Sequence, residues 1–392
     1  MLKVLLVACI LFLPVCHAGQ AQNAQLARQG IVSKQDYRVE LPFRYIDRHV
    51  FIDVAIRGRT YTFLLDSGYE LSAIDSGIGV EIGAVSKSRV SVSGTSFETR
   101  QATLVEVPRL AIAGVDFDGT AAVLQDLSMV KKHHGCIQVH GIIGNNVMRK
   151  AAWQIDYPAR VIRLSDRSAA LAIGKQAHPV RMKSRGWGLA TLDLAINGAG
   201  SDFLFDTGSS GGFTAMRSLQ RSFDPAGKAH YLHTDRKSAF IAGSVRLGDI
   251  ALASQIVSLE DSPRSLVGNG FFENFVVTID WANDLLWLDP RTQIPEGSLD
   301  AFQASLHPDY ADNTLRLRNQ WKSHALSPVL ENDARVLRID GRDVSALDRN
   351  QLCALWNDRQ ALLDSTQLEL VVQATDGERA ITLVRKRLLP AE

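Results

Sequence analysis

The sequence predicts a mainly β protein built from two copies of one β-rich unit, followed by a small α+β module. Three observations predict this. A block of 17 residues recurs without a gap 140 positions further on. A second block follows each copy and recurs in the same order at an offset of 124. Beyond about Leu306 the repeat stops, and strand-like runs flank one amphipathic helix.

The N-terminus comes first. Lys3 precedes an apolar run from Val4 to Val15, and Ala18 and Ala21 offer small residues for cleavage. This pattern predicts a secretory signal over residues 1–18, hence a periplasmic or secreted protein. The run is too short for a membrane span, which takes roughly 20 apolar residues, and no other stretch is long enough. A lipid-bearing Cys16 is the lesser alternative, because Val15 is bulky where such signals carry a small residue. The full chain has 392 residues, a net charge of +1, 46% apolar and 22% charged residues. That composition is globular and gives no basic excess for phosphate contacts, so nucleic-acid binding is not expected. Beyond the signal only Cys136 and Cys353 remain, 217 residues apart. No intramolecular disulfide is expected from that spacing.

In the first repeat block, Ile52–Gly68 lies over Leu192–Gly208 with eight identities, among them Gly58/Gly198, Asp66/Asp206 and Gly68/Gly208. Each copy reads as strand, glycine turn, strand, ending at Asp-Ser-Gly or Asp-Thr-Gly. In the second block, Gly141–Ser165 lies over Ser265–Asp289 and aligns Gly144 with Gly268, Asn145 with Asn269 and Asp156 with Asp280. Each copy here reads as an apolar-apolar-glycine element, a short helix and a hairpin around Tyr157-Pro158 or Asn283-Asp284. Between the blocks, alternation such as Arg89-Val90-Ser91-Val92-Ser93 reads as sheet. The copies join near residues 166–182.

A lone Asp-Gly turn is ordinary loop chemistry. Two in register, each followed by a matched apolar-apolar-glycine element, resemble the pepsin/retropepsin superfamily of aspartic proteases. The resemblance covers roughly residues 38–290. It implies two retropepsin-like β-lobes, 38–165 and 183–292, forming a pepsin-like bilobal unit. By position, Asp66 and Asp206 would be the catalytic dyad. Ser67 and Thr207 would brace the two loops. Gly68 and Gly208 would keep the backbone close to substrate, and Gly144 and Gly268 would pack on the motif loops. The chemistry also follows from the residue types. Two close carboxylates cannot both ionise cheaply, so they share a proton, one activating a water and the other protonating a carbonyl. Such a dyad needs no metal or other cofactor. Tyr69 and Glu70 depart from the family's small residues after the first triplet. Flap candidates are the turn at Ser93-Gly94-Thr95 and the segment Tyr231–Gly243.

Three other motifs are read as structural. Asp75-Ser76-Gly77 has no counterpart in the second copy and is expected to be a surface turn. Gly208-Ser209-Ser210-Gly211-Gly212 fits a serine-hydrolase pattern but lacks the strand-to-helix context that chemistry needs. His133, His134, Cys136 and His140 carry ligand types without a complete metal-site spacing, and the Lys131–Gly135 stretch reads as a solvated loop.

Over 304–390, Arg335–Val344 reads as strand, Asp340-Gly341 turn and return. Ser345–Asp348 resembles a capping box before a helix bearing Leu352, Leu355 and Trp356, and two strands flank a turn at Asp376-Gly377. This order resembles a PDZ domain, without a clear glycine-rich carboxylate loop near Thr314–Trp321. The implied partners are a polypeptide substrate in the cleft and a peptide on the PDZ-like module. With both aspartates in one chain, a monomer can form the complete site. Pairing of lobes between chains is the alternative assembly, and a non-catalytic peptide-binding envelope protein is the alternative function.

Overall fold

The structure is a computed structural model. It describes residues 25–387 apart from residue 27 and segments 94–98, 186–187, 226–229, 235–236, 292–299 and 320–332. The signal segment, the first flap candidate's Gly94 and Thr95, and the sequence beyond residue 387 lie outside the described residues.

The chain is mainly β, in several sheets. The first copy contains β1 (Arg38–Pro42), β2 (Arg44–Ile46), β3 (His49–Ile56), β4 (Arg59–Leu65), β5 (Ser72–Asp75), β6 (Val85–Ser93), β7 (Thr99–Ile112) and β8 (Val115–Gln125). It continues through α1 (Ser128–His133), β9 (Gly141–Ile143), α2 (Asn145–Met148), β10 (Ala152–Asp156) and β11 (Val161–Ser165). The second copy contains β12 (His178–Arg185), β13 (Leu189–Ile196), β14 (Ala199–Phe205), β15 (Phe213–Met216), α3 (Gln220–Phe223), β16 (His230–Thr234), β17 (Lys237–Ala242), β18 (Val245–Leu247), β19 (Ile250–Leu252) and β20 (Gln255–Glu260). It ends with β21 (Leu266–Val267), α4 (Asn269–Phe272), β22 (Phe275–Asp280) and β23 (Leu285–Pro290).

The repeat in sequence is a repeat in pairing. β9 runs parallel to β4 and antiparallel to β5, and β5 is parallel to β8. β21, β14, β15 and β20 repeat this arrangement. In both copies the strand that ends at the aspartate is therefore central and buried: Phe63 and Leu65, and Phe203 and Phe205, are fully enclosed. Such strands read as apolar runs because both faces are covered. The copies are joined by β10 and β22, which pair antiparallel from Trp153↔Ile279 to Asp156↔Val276. One apolar core runs through both copies and includes Trp153, Ile155, Val277 and Ile279.

After β24 (Asp300–Ala301), a separate core fills the C-terminal module. Its elements are β25 (Ala304–Asp309), β26 (Thr314–Asn319), β27 (Ala334–Ile339), β28 (Arg342–Asp343), α5 (Arg349–Asn357), α6 (Gln360–Asp364), β29 (Gln367–Ala374), β30 (Gly377–Val384) and β31 (Lys386–Arg387). Its main sheet runs β25-β26-β27-β29-β30.

Four expectations are corrected. Cys136 and Cys353 form a disulfide, with Cα atoms 5.3 Å apart. Sequence separation misled here because α5 docks on the loop after α1. The Lys131–Gly135 stretch is not a solvated loop, since α1 reaches His133 and the His134 ring is buried. Asp75 is not at the surface. Its buried carboxylate accepts from the Gly77 and Leu127 N–H groups and pairs with Lys131 at 2.9 Å. The capping box is Asp348 with Gln351, because Ser345 is already engaged with the Asp343 carboxylate.

Candidate active site

Each aspartate ends a central strand. The Asp66 N–H donates to Ile143 O and the Asp206 N–H to Val267 O, both at 3.0 Å, so β9 and β21 fix the two turns equivalently. Within each turn a carboxylate oxygen accepts from the glycine two residues on, Gly68 N–H at 2.8 Å and Gly208 N–H at 2.9 Å. These are Asx turns, in which a short side chain caps its own backbone.

The turns are tied to each other through four buried hydrogen bonds. Ser67 N–H donates to Thr207 Oγ1, and Thr207 N–H donates to Ser67 Oγ, both at 2.9 Å. Ser67 Oγ donates to Phe205 O at 2.8 Å, and Thr207 Oγ1 donates to Leu65 O at 2.9 Å. Each hydroxyl thus bridges the carbonyl before and the amide after the other copy's aspartate. Both side chains are fully buried, so an orphaned partner would cost roughly 1–3 kcal/mol.

Gly68 and Gly208 have a reason the sequence did not supply. A Cβ at Gly68 would stand 2.6 Å from Asp206 Cγ, and one at Gly208 would run into the Asp66 carboxyl. Each glycine makes room for the other copy's carboxylate. Gly144 and Gly268 lie where a Cβ would meet backbone at 2.7 Å (Tyr69 O) and 2.6 Å (Gly211 O and Ser209 O). They let α2 and α4 sit directly against the turns.

From those helices come two residues to which sequence reasoning gave no role. Asn145 Nδ2 donates to Ser67 O at 2.6 Å, and Asn269 Nδ2 donates to Thr207 O at 2.7 Å. These carbonyls belong to the peptide units whose N–H groups point at the aspartate carboxylates. Bonding the oxygen polarises the unit and strengthens the donor. Their coincidence in the second repeat block was the available signal.

The two carboxyls face each other, each lying against the other copy's glycine. Burial first, then the charge of Asp206, pushes the Asp66 carboxyl well above the usual range. Burial lifts the Asp206 carboxyl to about 6, against the opposing pull of Gly208 N–H. Such a pair holds one proton between two oxygens over a broad pH range, the state that can give a proton and take one in the same step.

Residues 52–147 match the family model described as aspartyl protease. That match spans the first aspartate turn and reaches Val147 in α2. Among curated proteins no match was found. Among solved structures, the crystal structure of basic 7S globulin from soybean is similar at 12% identity, covering 64% of this chain and 94% of that one, with a TM-score of 0.44.

Around the turns, Tyr69 Oη donates to Gln125 at 2.6 Å, and burial raises the Glu70 carboxyl. Ser210 lies in the loop between Asp206 and β15, with no helix behind it. A cavity of about 1120 Å³ separates the repeated units from the C-terminal module and is lined by residues including Asp47, His133, Ser210, His307 and Trp356. Among the described residues, no three His, Cys, Asp or Glu side chains are grouped to hold a metal ion, and no helix is long and apolar enough to cross a membrane.

Proposed function

We propose that this chain is an aspartic endopeptidase whose Asp66 and Asp206 hydrolyse peptide bonds. The observation that carries the reading is the pair of carboxyls facing each other across the Ser67–Thr207 ties. In the singly protonated pair, the carboxylate takes a proton from a water as its oxygen attacks the substrate carbonyl carbon. The other carboxyl gives its proton to the carbonyl oxygen. Collapse of the resulting diol, with a proton passed to the amide nitrogen, breaks the C–N bond and releases a carboxylic acid and an amine. The Asx-turn amides hold the carboxylates in place throughout, so no reorganisation is needed during the step.

Residues 38–165 and 183–292 act as two lobes of one cleft, so a monomer is complete. Residues 304–390 act as a PDZ-like module. A cavity of about 580 Å³ lies between β25, α5 and α6 of that module and Phe213 and Phe271 of the second copy, which supports docking of an extended apolar peptide there. Residues 1–18 direct the chain to the periplasm or beyond the cell.

The test is incubation of the protein with a diverse peptide mixture from pH 3 to 8, beside Asp66→Asn and Asp206→Asn. Cleavage by the parent, lost by at least about a thousandfold in both variants, is expected. Cleavage surviving both variants rejects the dyad. Binding without turnover, unchanged in Asp66→Asn, identifies a peptide-binding protein instead.

A further inference from the structure

The repeat provides an internal control for every residue near the dyad. At the offset of 140, β3 and β13 begin at matched positions, yet the first is His49 and the second is Leu189. Leu189 packs in a small apolar cluster with Leu204 and Leu266. A strand start here does not need a histidine.

His49 is buried, and its Nε2 lies 3.1 Å from the carbonyl oxygen of Gly208, two residues past Asp206. A carbonyl only accepts, so Nε2 carries the proton. The Gly208 carbonyl belongs to the peptide unit whose other end, the Ser209 N–H, donates to Asp206 O at 3.3 Å. His49 thus holds the third consecutive polar link in the second turn, after those of Asp206 and Asn269. Among the described residues, no side chain hydrogen-bonds to Gly68 O. The imidazole is packed by His134 at 4.5 Å, Phe51 at 6.5 Å and His133 at 6.2 Å. Asp47 is the acidic neighbour.

The two residues before His49 face other parts of the molecule. Asp47 and Arg48 form the β2–β3 turn in the left-handed region, with φ of 51° and 60°. Arg48 O accepts from Asn269 Nδ2 at 2.6 Å, and the Arg48 guanidinium pairs with Glu273 at 3.0 Å. The Asp47 carboxylate accepts from Trp356 Nε1 at 2.6 Å and pairs with Arg359 at 2.8 Å. Three consecutive residues therefore grip the C-terminal module, α4 and the second aspartate turn.

We propose that His49 is a positioning residue for the second aspartate turn, and that the C-terminal module holds it in place through Trp356 and Arg359 on Asp47. This rests on the dyad reading above. It makes the module part of the catalytic apparatus, not only a place where peptides dock.

The test uses the full chain with three changes: His49→Leu, which copies the second repeat; His49→Gln, which keeps an N–H donor; and the pair Trp356→Phe with Arg359→Met. His49→Leu is expected to lower kcat about tenfold with KM within about twofold, and His49→Gln to recover most of that loss. The Trp356/Arg359 pair is expected to lower kcat in the same direction, and to add nothing to His49→Leu. A kcat for His49→Leu within about twofold of the parent overturns the role of His49. Additive losses overturn the role of the module. A second readout does not need turnover: the ionisation of Asp206 followed by carbon-13 NMR of labelled aspartate. Loosening the turn weakens the Gly208 N–H bond, so His49→Leu should move the midpoint upward by about half a pH unit while His49→Gln does not. An unmoved midpoint in a folded His49→Leu protein overturns the proposal. A moved midpoint in a protein that cleaves no peptide upholds it and rejects the peptidase reading alone.

Discussion

Asp206 loses favourable hydration on folding, and the loss is greatest when it is charged. Burial lifts its carboxyl to about 6, whereas an aspartate in the unfolded chain titrates near 3.9. Between those values the folded state binds more protons than the unfolded one, so this group's contribution to stability falls as pH rises from about 4 to about 6. Asp206→Asn cannot ionise. It should therefore melt above the parent at pH 7, by a margin of order 1–3 kcal/mol, and the margin should close by about pH 3, where the carboxyl is largely protonated in both states. Calorimetry at the two pH values checks this, and a variant that melts below the parent at pH 7 contradicts it. The two aspartates, Ser67 and Thr207 were legible because the sequence repeats them in register. His49 was not. Its significance comes from being absent in the second copy, where Leu189 stands, and from a contact that spans 159 residues.

The four-residue helices α2 and α4 are far too short to stand on helix propensity. They exist because Gly144 and Gly268 let them lie on the aspartate turns. Asn145 N–H donates to Tyr69 O and Asn269 N–H donates to Ser209 O, both at 2.8 Å. Gly144→Ala would push a methyl into the Tyr69 and Leu71 backbone, which has no flexible end to yield. We expect it to destabilise the fold by about 1–3 kcal/mol, measured by urea unfolding, and to lower activity because Asn145 is carried away from Ser67. Gly268→Ala should behave alike, and unequal effects would show that the copies are not mechanically equivalent. The sequence revealed these elements through the alignment of Gly144 with Gly268. It misplaced the box before α5, because Ser345 and Asp348 are both good N-cap types and only the Asp343–Ser345 turn decides between them.

At the scale of the molecule, four links among the described residues bind α5 and Arg359, two residues past it, to the first copy. Arg349 donates to Gly135 O at 3.1 Å, Cys353 bonds Cys136, and Trp356 and Arg359 meet Asp47. Removing the disulfide by Cys136→Ser with Cys353→Ser should reduce stability by about 2–4 kcal/mol, since it closes a long loop of the unfolded chain. Chemical denaturation of the parent with and without a reductant should give the same difference, and equal midpoints would refute it. No local pattern announces a bridge over 217 residues. It depends on where the third module docks, and that was the least legible part of the fold, whereas the doubled architecture was plain from two constant offsets.

A site related by a true twofold axis would receive an extended chain equally well in either direction. Here the relation holds for the aspartates, their glycines and the helix asparagines, and fails around them. His49 answers Leu189, Tyr69-Glu70 answers Ser209-Ser210, and Arg149, stacked over Trp281 at 4.4 Å, answers Glu273. The C-terminal module caps one side of this arrangement through Asp47. A chain lying across the two turns thus meets unlike surroundings at its two ends. Symmetry supplies the paired carboxyls, and the broken symmetry tells the amino end of a bound chain from its carboxyl end.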